Sequence, residues 1–287
     1  MNEMTTLNTK IVLDSSADIT AAKALPRELV PLKIRTSQKE YVDDASLDVG
    51  AMIADLRAYS GRSSTSCPNP QEFIRAFEEA QYVFCITITG SLSGSHNAAR
   101  TAAHEYTALH PERKVCVVDS LSTGPELILL ADAIEEACAS GKSFEEVTEM
   151  LEGFRRHNKT GLIFMLESLQ NLANNGRVSP IAAKAASVLG IRVVGKASDE
   201  GTLEQLEKCM GGKKALKAIF ANMKAEGYCG GRANIAHCNN ESAAKAFDSL
   251  LRAEFPEAKT EIYPCGGLCS FYAEEGGLLI GFEKGAK

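Results

Sequence analysis

Hydroxyl side chains gather at four places: Asp14-Ser15-Ser16, Ser63-Ser64-Thr65-Ser66-Cys67-Pro68, Gly90-Ser91-Leu92-Ser93-Gly94-Ser95 and Asp119-Ser120-Leu121-Ser122-Thr123-Gly124. Three of the four directly follow short apolar runs that read as strands. Alcohols in such loops can donate hydrogen bonds to an anion. Ser93-Gly94-Ser95 also opens a helical pattern, where the leading N–H groups have no intrahelical partner and carry partial positive charge, and Gly94 admits a ligand close to the backbone. With the Thr65 hydroxyl these residues form a candidate anion seat that needs no formal positive charge. Taken singly, a serine ahead of a helix is more often an N-cap. Two hydroxyl loops preceding helices in one sheet, Thr65-Ser66 and 91–95, make binding the reading to test.

Nucleophilic chemistry is harder to assemble from the same residues, because it needs a positioned base. In Gly90-Ser91-Leu92-Ser93-Gly94 the serine stands one place late for a Gly-x-Ser-x-Gly elbow. His96 lies three residues from Ser93 on the same helix, a poor way to orient a base. His104, His110 and His157 fall on helices or their exposed ends, and His237 ends an apolar strand as a core or crevice residue. Gly211-Gly212-Lys213-Lys214 lacks the upstream glycine and the Ser/Thr of a phosphate-binding loop, and no Gly-x-Gly-x-x-Gly follows the first strand. His104-Glu105 lacks the second histidine of a zinc-protease helix. Cys265-Gly266-Gly267-Leu268-Cys269 reads as two free thiols in a turn rather than a metal site.

The elements that must position the seat alternate through the first half of the chain. Strands are predicted at 10–13, 29–36, 82–89 and 114–118, and helices at 50–59, 70–80, 93–106, 124–139 and 144–157. Pro31 places the second strand near an edge, and Asn69-Pro70 reads as an N-cap with proline in the first turn. This rhythm argues for a parallel sheet covered by helices on both faces, with ligands at the carboxyl ends of its strands. After about residue 160 it changes: strands at 162–166, 191–197, 202–208, 233–238, 259–263 and 277–283, with helices at 179–189, 213–226 and 241–255. The fold class is therefore α/β in an N-terminal domain, residues 1–160, plus an α+β domain with a mixed sheet, residues 161–287.

A chain of 287 residues suits two domains, and 45% hydrophobic with 24% charged residues suits a sizeable core. A net charge of −6 argues against broad binding to nucleic acid or anionic membranes. No run is apolar enough to span a bilayer, the first residues lack a signal pattern, and the nine cysteines read as reduced thiols, so a cytoplasmic location is expected. Cys85, Cys116 and Cys138 sit in apolar runs and read as small buried hydrophobes.

Motifs along nearly the whole chain resemble the DegV family of bacterial fatty-acid-binding proteins. They are Ile11-Val12-Leu13-Asp14-Ser15-Ser16-Ala17-Asp18-Ile19, Val30-Pro31-Leu32, Thr65-Ser66-Cys67-Pro68, Leu92-Ser93-Gly94-Ser95, Val118-Asp119-Ser120 and Asn175-Gly176-Arg177-Val178-Ser179. Each is weak alone; their order and spacing together are specific. The resemblance implies one long-chain fatty acid between two domains. Thr65 and Ser93 would hold its carboxylate, backbone amides near Gly94 and Ser95 would assist, and Arg177 would match a family position. It implies no enzyme activity in this chain and no cofactor beyond the bound fatty acid. The partner would be an ATP-binding fatty acid kinase subunit that phosphorylates the presented carboxylate. A buried methylene contributes about 0.8 kcal/mol, so a sixteen-carbon tail contributes on the order of 10 kcal/mol gross, whereas a neutral hydroxyl bond nets about 1 kcal/mol. Tail burial should set affinity and the hydroxyls orientation. Leu127, Ile128, Leu130, Ile163, Met165, Leu189 and Ile191 are the candidate tail-lining residues.

The chain departs from the family in two places. Ala273-Glu274-Glu275-Gly276-Gly277 stands where members often carry His-x-Gly-Pro-Gly, and Met210 stands where a basic residue is expected; Arg192 takes the place of a family lysine. If those groups serve the phosphoryl step or the kinase contact, this chain would bind lipid without joining that pathway. The competing readings are a hydrolase or phosphotransferase acting on a small anionic substrate in the same crevice, with Ser93 or His237 essential, and a regulatory binding domain.

Overall fold

The computed structural model describes residues 8–18, 23–156, 159–181 and 190–285, with residues 154–156 described by their backbone alone. In chain order the first half contains β1 (Thr9–Asp14), β2 (Arg27–Val30), β3 (Lys33–Arg35), β4 (Glu40–Val42), α1 (Val49–Ala58), β5 (Ser64–Ser66), α2 (Pro70–Phe77), β6 (Tyr82–Thr87), α3 (Ser95–Leu109), β7 (Lys114–Asp119), α4 (Pro125–Ala139) and α5 (Phe144–Arg156). The second half contains β8 (Thr160–Leu166), α6 (Gln170–Asn174), β9 (Ile191–Ala197), β10 (Leu203–Met210), α7 (Gly212–Ala225), β11 (Arg232–His237), α8 (Glu241–Glu254), β12 (Lys259–Pro264), α9 (Gly267–Ala273) and β13 (Leu278–Glu283). Most of the helix expected over 179–189, with its candidate Leu189, and His157 lie outside the described residues.

Strands β2-β1-β6-β7 form a parallel sheet. The chain leaves β1 for β2 on one side and reaches β6 on the other, so the strand order reverses at β1 and opens a crevice beyond Asp14 and Thr87. Strands β10-β9-β8-β13-β11-β12 form the mixed sheet, antiparallel except for β11 with β12. A third sheet, β4-β3-β5, was not foreseen. It arises because the run read as one strand over 29–36 is two. Pro31 has no N–H to donate to a ladder, so β2 ends at Val30 as an edge strand and the chain turns into β3 in a different sheet.

Local signals explain the helices around the crevice. Asn69 and Glu72 form a reciprocal capping box on α2, with Pro70 in the first turn. Helix α4 is apolar on nearly every face and almost entirely buried, because it lies between the two large sheets. Leu127, Ile128, Leu130 and Ile134 join the core over β1 and β6, while its start runs against β13, with the backbone of Pro125 and Glu126 close on Gly281. Its acidic positions are tied as well. Arg27 on β2 reaches Asp132 at 2.6 Å and Glu135 at 2.8 Å, and Arg232 on β11 pairs with Glu136 at 2.5 Å. Among the described residues no helix is long and apolar enough to cross a membrane.

Candidate functional site

The Asp14-Ser15-Ser16-Ala17-Asp18 segment forms the knot beneath the crevice. Asp14 caps the short 3-10 turn 15–17 and is wholly buried. Its carboxylate accepts the Ser16 hydroxyl at 2.6 Å, the Ser95 hydroxyl at 2.5 Å and the Ile88 N–H at 2.9 Å. Burial pushes its carboxyl up, and these donors pull against that. The same knot reaches the second half of the chain. Asp18 Oδ1 accepts the Gly266 N–H at 2.9 Å, and Asp43 accepts the N–H groups of Gly267 at 2.6 Å and Leu268 at 2.9 Å. Both carboxylates thereby fix the start of α9. Asp18 adopts φ of 68°, and its Oδ2 is buried without a hydrogen-bond partner. Burial, and less strongly Asp43, lift its carboxyl to about 8, while the Cys269 thiol and Gly266 N–H oppose the shift.

Above the knot lies a cavity of about 70 Å³ bordered by Thr65, Ser93 and Arg177 together with Leu32, Ile88, Leu92, Thr123, Leu162, Phe164, Leu166, Leu172, Leu203, Leu268, Cys269, Tyr272, Ala273 and Leu279. A second cavity of about 350 Å³ shares Phe164, Leu172, Arg177 and Leu203 with it and adds Leu169, Val178, Ser179, Val193 and Gln205. Together the two volumes fall in the roughly 300–1,000 Å³ range of small-molecule sites.

Thr65, Ser93 and Arg177, distant in sequence, thus share one wall, though the elements carrying them differ from expectation. Thr65 sits on β5, opposite Ile34, rather than in a loop before a helix. Its hydroxyl lies 2.7 Å from that of Tyr272, and each pair of hydroxyls that bonds leaves one O–H proton over. Ser93 Oγ accepts the Ser95 N–H at 3.3 Å, which leaves its own proton to donate. Gly94 and Ser95 do not border the cavity; the Ser95 hydroxyl is committed to Asp14 instead. Arg177 follows the α6 terminus, where Gly176 takes φ of 74° and the Arg177 N–H closes on Leu172 O at 2.8 Å. Its guanidinium donates to the carbonyls of Leu92 and Asn175 and lies 5.7 Å from the Tyr272 ring centre. No ion-pair partner of Arg177 occurs among the described residues. The uncharged seat expected from the hydroxyls therefore carries a formal cation on its rim.

The tail-lining candidates need correction. Leu127, Ile128 and Leu130 belong to the core beneath the parallel sheet, and Ile163 and Met165 to the core between the mixed sheet and α7 and α8. On β8 it is the other face, Leu162, Phe164 and Leu166, that looks into the cavity, since successive side chains alternate. Ile191 does not border it either. Tyr272 and Leu268 were missed because 265–269 read as a turn; Gly267–Ala273 is a helix too short for a period to show. The one available signal was the apolar pair Leu268-Cys269 followed, after Ser270, by Phe271-Tyr272.

The histidines do not serve Ser93. His96 directs Nδ1 at the Thr87 hydroxyl, 3.4 Å away, and His237 Nδ1 accepts the Asn240 N–H at 3.4 Å; neither borders the cavity. Among the described residues no group of His, Cys, Asp and Glu could hold a metal ion. Of the departures from the family pattern, Met210 is 58% exposed, Arg192 pairs with Glu167 at 2.7 Å, and 274–277 form the turn between α9 and β13.

A family model described as the DegV family of uncharacterised proteins matches residues 8–284. A DegV domain-containing protein of Streptococcus pneumoniae is 44% identical over 278 residues, 96% of this chain and 98% of the relative. One from Streptococcus gordonii is 40% identical over 280 residues, 96% and 99% of the two chains. Among solved structures, a DegV family protein from Eubacterium eligens loaded with heptadecanoic acid superposes with a TM-score of 0.94 at 39% identity, covering 96% of this chain and 100% of the other. The fatty acid kinase B3 protein of Streptococcus pneumoniae loaded with linoleic acid gives a TM-score of 0.94 at 42% identity, covering 97% and 100%.

Proposed function

The chain belongs to the DegV family, and from that premise we propose that it carries one long-chain fatty acid, the tail between its two large sheets and the carboxylate at Thr65, Ser93 and Arg177. The observation that carries this reading is the convergence of those three polar residues on the rim of an otherwise apolar cavity. Ser93 offers its O–H, Thr65 and Tyr272 offer one O–H between them, and Arg177 keeps N–H donors beyond those given to two carbonyls. Such a donor-rich rim suits a carboxylate and the walls suit a methylene chain. Gly94 and Ser95 support the seat from behind, through the start of α3 and the bond to Asp14.

The division at residue 160 is part of this reading, with residues 1–160 supplying Thr65 and Ser93 and residues 161–287 supplying Arg177, Tyr272 and most of the tail wall. The protein is a carrier in the cytoplasm rather than an enzyme, and needs no cofactor. The similarity to a fatty acid kinase B3 protein supports a separate ATP-binding kinase subunit as the partner that phosphorylates the carboxylate.

Native mass spectrometry of protein purified without added lipid tests the carrier role: one acyl chain per polypeptide is the expected mass increment, and neither retained lipid nor uptake of added palmitate would remove it. Ser93→Ala should weaken palmitate retention several-fold in competition while leaving the melting temperature unchanged; undiminished retention would take Ser93 out of the seat. Acyl phosphate formed by a fatty acid kinase subunit with ATP tests the partner, and the absence of product would leave a lipid carrier outside that pathway.

A further inference from the structure

We propose that the Phe164 ring is the constriction that sets the length and bulk of the acyl chain this protein accepts, an inference that rests on the fatty acid reading above. Thr65, Ser93 and Tyr272 border the 70 Å³ cavity alone, whereas Val193 and Gln205 border the 350 Å³ cavity alone. A water molecule's share of the liquid is about 30 Å³, so the space next to the seat has room for a few solvent-sized groups and not for a long tail. A chain whose carboxylate rests on Thr65 and Ser93 must extend beyond this space toward the larger cavity, and Phe164 borders both.

Of the four residues common to both, Arg177 belongs to the rim and Leu172 and Leu203 are smaller and unsupported by a comparable device. Phe164 is pinned. It pairs across the β8–β9 ladder with Gly195, and a methyl group at Gly195 would collide with its ring. The glycine thus provides the bay in which the ring lies. The same methyl would stand 2.6 Å from the Glu204 carbonyl oxygen, so the backbone of the neighbouring strand closes that bay. The ring therefore has no room to move further toward β9 and away from the chain that passes it. An aromatic ring over a cross-strand glycine also stabilises a sheet, so the experiment must read selectivity and not stability alone.

Laurate and stearate are competed against a common fluorescent fatty acid on the wild type, Phe164→Ala and Phe164→Leu. A buried methylene is worth about fourfold in affinity. Removing the ring should therefore raise the stearate-to-laurate affinity ratio at least fourfold over the wild type in Phe164→Ala, with Phe164→Leu in between. Should Phe164→Ala not fold, Phe164→Leu decides with a ratio raised twofold or more. A ratio unchanged in the folded variants, or both acids weakened equally, overturns the inference and leaves Phe164 a packing residue while the carrier role stands. A wild type that takes up neither acid overturns the carrier role first and this inference with it.

Discussion

Two cavities that both have Leu162 in their lining differ in what happens to their charges. The cavity behind Thr65 and Ser93 is apolar apart from its rim, and its cation, Arg177, faces carbonyls and a ring, with no carboxylate paired to it among the described residues. The other, about 260 Å³, is bordered by Ser120, Glu126, Thr160, Lys196, Ser198, Asp199, Glu226 and Lys284. There the charges satisfy one another: Lys196 and Lys284 meet Glu226 at 2.7 and 3.1 Å, and Thr160 donates to Glu126 at 2.7 Å. The polar cavity is the roomier of this pair, and both of its lysines are already engaged by Glu226. A half-buried guanidinium with donors to spare at the mouth of an apolar space is a better guide to the site than volume, because it offers an incoming carboxylate a charge-assisted hydrogen bond.

The largest perturbation of this contrast is to breach the shared wall. Leu162→Ala should cost about 2–5 kcal/mol of unfolding free energy, read by urea denaturation, and should lower palmitate retention by joining the dry space to the wet one. Loss of stability with full retention would mean that Leu162 does not separate the two. Next in size is the charge itself. Arg177→Met keeps the length but removes the cation, and a hydrogen bond to a charged group is worth about 1.5–3 kcal/mol. Palmitate affinity should fall roughly 10- to 100-fold with little change in melting temperature. An unchanged affinity would break the comparison outright.

How far this contrast was legible in the sequence depends on the residue. The hydroxyl loops, the alternation of strands and helices and the strand ends over the crevice were readable because they are local: β1, β6 and β7 each carry a short apolar run rich in Val and Ile, and Asn69-Pro70 announces α2. Register was not. On β8 both faces are apolar, so nothing in Leu162 to Leu166 distinguishes the cavity face from the core face; only pairing with β9 and β13 does. The Thr65 strand escaped for a similar reason, since a three-residue strand of Ser-Thr-Ser carries no pattern and exists by pairing with β3. Arg177 was marked only by its family-like segment, and the absence of an ion-pair partner among the described residues is a fact of three dimensions.

Two smaller predictions sharpen the contrast through carboxyls. Asp18, under the dry cavity, is held protonated to about 8 against an ordinary 3.8. The folded state then keeps a proton that the unfolded chain releases, so stability declines as pH rises from about 4 to about 8. Asp18→Asn should abolish that decline and suits the positive φ. Its advantage over the wild type should grow across this window by up to about 1.4 kcal/mol per pH unit, followed by thermal melts at several pH values. A constant difference from pH 4 to 8 would show that Asp18 does not titrate there. Glu226, in the wet cavity, behaves oppositely. Burial lifts its carboxyl, but Lys196 and Lys284 outweigh that and hold it below the ordinary 4.5. Its contribution is present above 4.5 and disappears as pH falls through the lowered value. Glu226→Gln should cost about 0.5–1 kcal/mol at neutral pH, converge on the wild type in acid, and leave palmitate retention untouched; an effect on retention would mean that the two cavities communicate.

Helix α4 has a bearing on how this polypeptide can be cut or rebuilt. Arg27 grips it from one sheet and Arg232 from the other, and both of its flanks are covered. A truncation product ending near residue 160 would bare a greasy stripe and strand Glu136 without its arginine, inviting clumping. Neither half is a detachable module. Chimeras between homologues should therefore take their crossover points elsewhere and inherit this rod together with both of its clasps.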